Sequence, residues 1–218
     1  MFDEEIVAAI NRLIEQWNVA ERRIKAAEQE SDGRVVYVAV SELRYAGRKF
    51  VDACQLLASA SRNAEERKRA LRYLSDATED CVKAKHDAID AAVDYVISWF
   101  KHVEDRLGLP TLVKYFPEYI DTLSMLYPIQ RRIAESRANR TDGRDDIYND
   151  IEKDYYQKIL KLYEKMRQSH DRIRAEVEKE EAEFEKKQNR EKRLYTIAIG
   201  SFLAALAGVA LAGLTLLR

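Results

Sequence analysis

Apolar residues recur every three to four positions over most of this chain, the period of helices that bury one face. Ile6, Ile10, Leu13, Trp17, Ala20 and Ile24 share one face of a first helix, which Ser31, Asp32 and Gly33 end as a turn. A second helix is predicted from Arg34 to about Ser61, with Leu43, Ala46, Phe50, Cys54 and Leu57 at helical spacing. Its opening run Val35, Val36, Tyr37 and Val38 suits a strand as well, so the first six residues are left open. Asn63, followed three residues on by Glu66, is an N-cap signature. The long helix it starts carries two apolar stripes, one through Leu74, Cys81, Ala88, Ala91 and Tyr95, the other through Val82, Ile89, Val93, Val96, Phe100 and Val103. Two stripes require two neighbours, which puts this helix at the centre of a bundle until Gly108 to Pro110 stops it.

From Pro110 to Gly143 the pattern loosens. Pro110, Pro117 and Pro128 among the aromatics Tyr115, Phe116, Tyr119 and Tyr127 predict short, kinked helices. After Thr141, Asp142 and Gly143 the helical period returns through Ile147, Ile151, Tyr155, Ile159, Leu162, Met166, Ile173, Val177 and Phe184. With no proline, and no glycine before Gly200, one helix from Asp145 to Leu217 is expected, roughly 110 Å long at 1.5 Å per residue. Beyond Ile173 its surface is mostly Glu, Lys and Arg, the composition of a stalk whose apolar edge is covered by another copy or which runs solvated as a linker.

The pattern changes again at Leu194. LYTIAIGSFLAALAGVALAGLTLL, Leu194 to Leu217, contains no charged side chain. At 1.5 Å per residue it reaches roughly 36 Å, enough for a hydrocarbon core of about 30 Å. Its 11 Leu, Ile, Val and Phe residues favour insertion by roughly 3 to 7 kcal/mol. With only Arg218 after it, the run reads as a tail anchor. The organisation expected is therefore all-α: a helical bundle over 1–144, an amphipathic stalk over 145–193 and a single transmembrane helix over 194–217.

Charge sets the orientation. All 38 acidic residues, and all of the 37 basic ones except Arg218, precede the run, so the part outside the membrane is nearly neutral and lacks the basic coat of a general nucleic-acid binder. Lys186, Lys187, Arg190, Lys192 and Arg193 crowd the near flank of the run. By the positive-inside rule they place the bulk of the chain on the cytoplasmic side of an inner membrane. The two cysteines, Cys54 and Cys81, have no CxxC spacing and read as buried thiols in a reducing compartment.

Catalytic patterns are missing. Helical nucleases of the HEPN class need an arginine five to seven residues before a histidine; those positions hold Glu79, Asp80 and Cys81 before His86, Tyr95, Val96 and Ile97 before His102, and Tyr163, Glu164 and Lys165 before His170. Each histidine reads as satisfied or solvated, no ExxH or phosphate-cradling glycine loop occurs, and neither enzyme activity nor a metal or organic cofactor is expected. A catalytic role for His86 or His102 would need a cleft and a perturbed acid beside it.

Binding carries more signal. Gly200, Ala204, Gly208 and Ala212 lay a small-residue stripe along the predicted span that lets neighbouring copies approach closely, and a pore built this way would be lined by Ser201, Thr196 and the small residues. Arg131, Arg132, Arg137, Arg140 and Arg144, with Tyr127, form the best candidate for an anionic ligand, because guanidinium forks onto phosphate and aromatic rings stack on bases. A solvated helix end paired with Glu135, Asp142 and Asp145 accounts for the same arginines.

In this layout, a bundle without catalytic motifs, a stalk and a single span, the chain resembles membrane effectors of bacterial anti-phage systems, including the Hailong type. The resemblance implies a homo-oligomer whose heads answer a nucleotide or oligonucleotide signal and whose spans open an ion-conducting path that stops growth. For the Hailong type it also implies a partner nucleotidyltransferase that makes a DNA oligomer holding the effector silent. The other expectation is a tail-anchored scaffold or tether that recruits a protein partner to the bilayer.

Overall fold

The computed structural model describes residues 4–58, 63–138 and 144–216, with side chains placed as far as Leu194. Among them every regular element is helical. The chain divides into two compact units, 1–166 and 167–218, and the first is an all-α bundle.

Helix α1 runs Glu4–Glu30 and buries Ile6, Leu13, Ala20, Ile24 and Ala27, close to the predicted face. Its end is a left-handed cap: Asp32 and Gly33 have φ of 55° and 77°, and the Gly33 N–H donates to the Glu28 carbonyl at 2.7 Å. Helix α2 spans Tyr37–Ala58, so Val35 and Val36 stay outside it. The face it buries holds Ala39, Ala46, Ala53 and Leu57. Cys54 is exposed while Cys81 is buried, which corrects the expectation for Cys54: one step of 100° carries it off the Ala53 face.

Helix α3, Ala64–Leu107, starts as predicted, with Asn63 Oδ1 accepting the Glu66 N–H at 2.8 Å. It stops at Gly108, which has φ 75° and whose N–H returns to the Glu104 carbonyl at 2.8 Å. It packs along both α1 and α2, which touch one another little, as two apolar stripes require. Alanines spaced by seven form the seam: Ala20 and Ala27 on α1, Ala39, Ala46 and Ala53 on α2, and Ala70, Ala77 and Ala84 on α3 are all fully buried. Side chains of that size let helix axes approach closely, with the heptad period of a coiled coil.

The proline region folds into the short α4, Leu109–Tyr115, and the 20-residue α5, Tyr119–Ala138, which is longer than the short helices predicted. Pro128 lies inside α5 but on its exposed side, as does Ser124, whose carbonyl is the one deprived of an N–H partner by the proline. Tyr119 anchors this part, its ring 6.1 Å from that of Phe100 and its hydroxyl donating to Glu104 at 2.7 Å.

The expected uninterrupted helix from Asp145 is interrupted. It begins as α6, Arg144–Asp150, passes through a π-helical stretch at Ile151–Tyr156, and continues as α7, Gln157–Leu216. Ile151, Ile159 and Met166 are buried as predicted, but Tyr148, Tyr156 and Tyr163 replace Ile147, Tyr155 and Leu162 on the inner face. The five-residue step from Ile151 to Tyr156 is the one a π turn supplies.

In the second unit the side chains from Val177 to Leu194 are exposed or half-exposed, Phe184 included, and Arg174 pairs with Glu178 at 2.9 Å one turn on. The flank residues Lys186, Lys187, Arg190, Lys192 and Arg193 are exposed. The backbone is helical to Leu216, while the side chains of the predicted span from Tyr195 onward, including Gly200, Ser201, Ala204, Gly208 and Ala212, lie outside the described residues. Among the described residues no helix is long and apolar enough to cross a membrane.

Candidate functional site

The arginines proposed from sequence do not converge. At 100° per residue Arg131, Arg132 and Arg137 leave α5 in directions at least 100° apart, and each already faces an acid: Arg131 meets Glu135 at 2.8 Å, Arg132 meets Asp150 at 3.6 Å, and Arg137 meets Asp90 at 2.9 Å and Asp94 at 3.3 Å. Tyr127 is exposed, and Arg140 lies outside the described residues. Arg144 sits 5.6 Å from the Tyr148 ring centroid, with its Nε buried and unpaired.

What the fold does assemble is a polar network where α3 meets α5 and α6. His86, Asp90 and Asp94 stand one turn apart on α3, so all three look toward the same neighbours. Buried Asp90 accepts hydrogen bonds from the Tyr148 hydroxyl at 2.8 Å and from Arg137 Nε. The Tyr148 ring stacks on His86 at 3.9 Å between centroids, and His86 Nε2 lies 3.2 Å from Asp145 Oδ1. Burial pushes the Asp90 carboxyl up while its two donors pull it back down. Burial, reinforced by Arg144 and Lys85, pushes His86 down to about 3, so its imidazole is neutral at physiological pH.

One flank of this network opens into a cleft of about 470 Å³ between α1, α3 and α6, lined by Arg12, Gln16, Val19, Thr78, Val82, Lys85, His86, Asp145 and Asn149. Lys85 is nearly buried, reaching Glu152 at 2.9 Å and donating to Asn149 Oδ1 at 3.1 Å. Arg12 is exposed and has no ion-pair or hydrogen-bond partner among the described residues. His86 Nδ1 is buried without a partner, which makes this histidine half-satisfied rather than satisfied. The acid most shifted nearby, Asp87, is pushed up to about 6 by burial, with Asp90 and Glu42 adding to the effect. One residue from His86, it leaves α3 in another direction and does not line the cleft. No group of three or more His, Cys, Asp or Glu among the described residues is placed to hold a metal ion. The cleft thus offers one unpartnered guanidinium, one ammonium held by Glu152 and Asn149, and two side-chain amides that can hold a polar anion, while its one lining carboxylate, Asp145, faces His86 Nε2.

A second groove, of about 270 Å³, lies on the other side of α1, between it and α2, and is almost wholly apolar: Leu13, Ile14, Trp17, Gly47 and Phe50 line it. A Cβ at Gly47 would stand 3.5 Å from Trp17 Cη2, at ordinary contact distance, so the indole lies over α2 with room for a methyl beneath it. Val7, Ile14, Val40 and Val51 remain exposed along the same side.

Sequence reading passed over Asp90, Tyr148, Lys85 and Arg12. Asp90 could have been noticed as an acid interrupting an apolar stripe, whereas nothing local marks Arg12. No family model, curated protein or solved structure matches the chain.

Proposed function

We propose that this chain is a membrane-anchored, homo-oligomeric effector: its helical bundle binds a nucleotide-type signal on the cytoplasmic side, and its uncharged segment 194–217 associates with copies of itself to open an ion-conducting path in anti-phage defence. The observation that carries the reading is the run of 24 residues without a charge, flanked by Lys186, Lys187, Arg190, Lys192 and Arg193 and continuing a helix dense in charge. The stripe Gly200, Ala204, Gly208 and Ala212 supports close helix association, and the cleft at α1, α3 and α6 supports a ligand-responsive head. A nucleotidyltransferase that makes the signal is the partner this reading calls for.

The test replaces Gly200 and Gly208 by leucine, which leaves the segment at least as hydrophobic but adds bulk where backbones would meet. Wild-type protein should depolarise host cells and conduct in planar bilayers; the double variant should insert equally and lose conductance by tenfold or more. Inserted wild-type protein that leaves bilayer conductance unchanged would overturn the channel. The second reading, a scaffold or tether recruiting a protein partner, is favoured by the open apolar groove between α1 and α2 and by a segment with no ionisable residue. It expects both proteins to be electrically silent.

A further inference from the structure

We infer that the cleft between α1, α3 and α6 is the ligand site of the head, and that it takes a small phosphate-bearing molecule with a hydrogen-bonding ring, of mononucleotide size. The inference deepens the proposed function and rests on its nucleotide-type signal, but it moves the site away from the arginines of α5.

Three observations carry it. At about 470 Å³ the cleft is within the range of small-molecule sites, roughly 300 to 1,000 Å³, and too large for an isolated phosphate alone. Its walls divide the work. Arg12 stands unpaired at the rim, five donors with nothing to bind, and Lys85 adds a second cation held in place by Glu152 and Asn149, so an oxyanion finds a fork and a fixed point charge. Val19 and Val82 give a ring apolar surface, while Gln16 presents an amide donor and acceptor to its edge and Asn149, whose Oδ1 takes the Lys85 ammonium, presents its NH₂ donors. The third observation is His86: it lines this cleft with nearly all of its side chain buried, and its Nδ1, closed off behind the wall, has no hydrogen-bond partner. Buried polar atoms are satisfied in the great majority of folded proteins, so this wall is left one partner short, and a ligand that resets the ring can supply one.

The position is also suited to signalling. Asp145 and Asn149, on the cleft wall, belong to α6, and α6 passes through the π-helical stretch Ile151–Tyr156 into α7. A ligand that bridges Arg12 on α1 to Asn149 on α6 would favour one setting of α6 against α1. A π turn, with its wider spacing, is a natural point for the helix to change register.

The experiment is calorimetric titration of the full-length protein in mild detergent with AMP and, separately, with inorganic phosphate. Nuclear magnetic resonance of labelled histidine runs alongside. AMP should bind and move the His86 resonances. Arg12→Gln, at an exposed position where folding is not at stake, should weaken AMP at least tenfold; Lys85→Gln should weaken it as well; Arg131→Gln should leave it unchanged. Phosphate binding as tightly as AMP would overturn the ring-bearing ligand. AMP weakened by Arg131→Gln or Arg137→Gln but not by Arg12→Gln would return the site to α5 and overturn the cleft, with the effector reading intact. No heat and no His86 shift with either probe would also overturn the cleft, while bilayer conductance tests the effector reading independently.

Discussion

The two sides of α3 are built from different chemistry. Toward α1 and α2 it presents a mostly apolar seam in which Ala70, Ala77 and Ala84 lie among alanines of its neighbours, with one buried acid, Asp80, paired to Lys49 of α2 at 2.6 Å, and the groove left open there is apolar. Toward α5 and α6 it presents His86, Asp90 and Asp94 to Tyr148, Arg137 and Asp145, and the cleft beside it is polar. Alanine seams gain stability from burial and close packing, which need no particular partner. A buried acid is tolerated only when each donor is in place, so the second side specifies an arrangement at some cost in stability. A bundle that responds to a ligand needs the first kind of contact to stay folded and the second to have something that binding can change.

The apolar side is most vulnerable at Leu13, buried on α1 and lining the apolar groove. Leu13→Ala should cost about 2–5 kcal/mol by lost burial and a residual cavity, with no dependence on pH; unfolding in urea followed by Trp17 and Trp99 fluorescence measures it. On the polar side, Tyr148→Phe takes one donor from Asp90 and should cost about 1–3 kcal/mol. A loss greater than that of Leu13→Ala would erase the contrast between the two sides. Gly47→Ala tests the dry side in the opposite direction. The new methyl meets Trp17 at ordinary contact distance and the helix loses a glycine, so stability should rise by about 0.5–1 kcal/mol.

Titration adds a pH dependence that the alanine seam lacks, carried by His86 on the polar side and by Asp87, which is pushed up by burial, by Asp90 and by Glu42 of α2. His86 near 3 lies below the 6.5 of a free imidazole, so the unfolded chain takes up a proton that the folded one refuses. Stability that is full above pH 6.5 is lost as pH falls toward 3, and His86→Gln should flatten that loss. Asp87, near 6 against an ordinary 3.8, acts in reverse: its stabilising term is present below pH 3.8 and is lost as pH rises through 6. Asp87→Asn should therefore stabilise at pH 7.5 and do nothing at pH 3.5. Urea midpoints across this range read both. The smallest effect belongs to Arg131, whose exposed pair with Glu135 should be worth about 0.5 kcal/mol or less in an Arg131→Ala variant.

Much of the fold was legible from spacing. The N-cap at Asn63, the turn at Asp32 and Gly33, the stop at Gly108 and the central place of α3 all follow from local rules, because capping and helical period act within a few residues of sequence. The site was not legible in the same way. Arg131, Arg132, Arg137 and Arg144 cluster in sequence, but the helical turn separates the three on α5: Arg131 pairs with Glu135 on the same helix, while Arg132 and Arg137 take their carboxylate partners from α6 and α3, as far away in the chain as Asp90. Arg12 and Asn149, which face one cleft, are 137 positions apart.

The amino-acid sequence by itself determined that the chain is helical, where most helices begin and end, and that an uncharged run of 24 residues follows a basic flank. Tertiary structure decided the finer choice of inner residues where helices meet. Along α6 and α7 Tyr148, Tyr156 and Tyr163 are inside in place of Ile147, Tyr155 and Leu162, with the π-helical stretch spanning the step from Ile151 to Tyr156, and the packing of α5 and α6 against α3 joined His86, Asp90 and Arg137 into a network beside an open cleft. Local rules reach one or two turns, whereas burial, hydrogen bonding and charge pairing depend on what another helix brings across the gap.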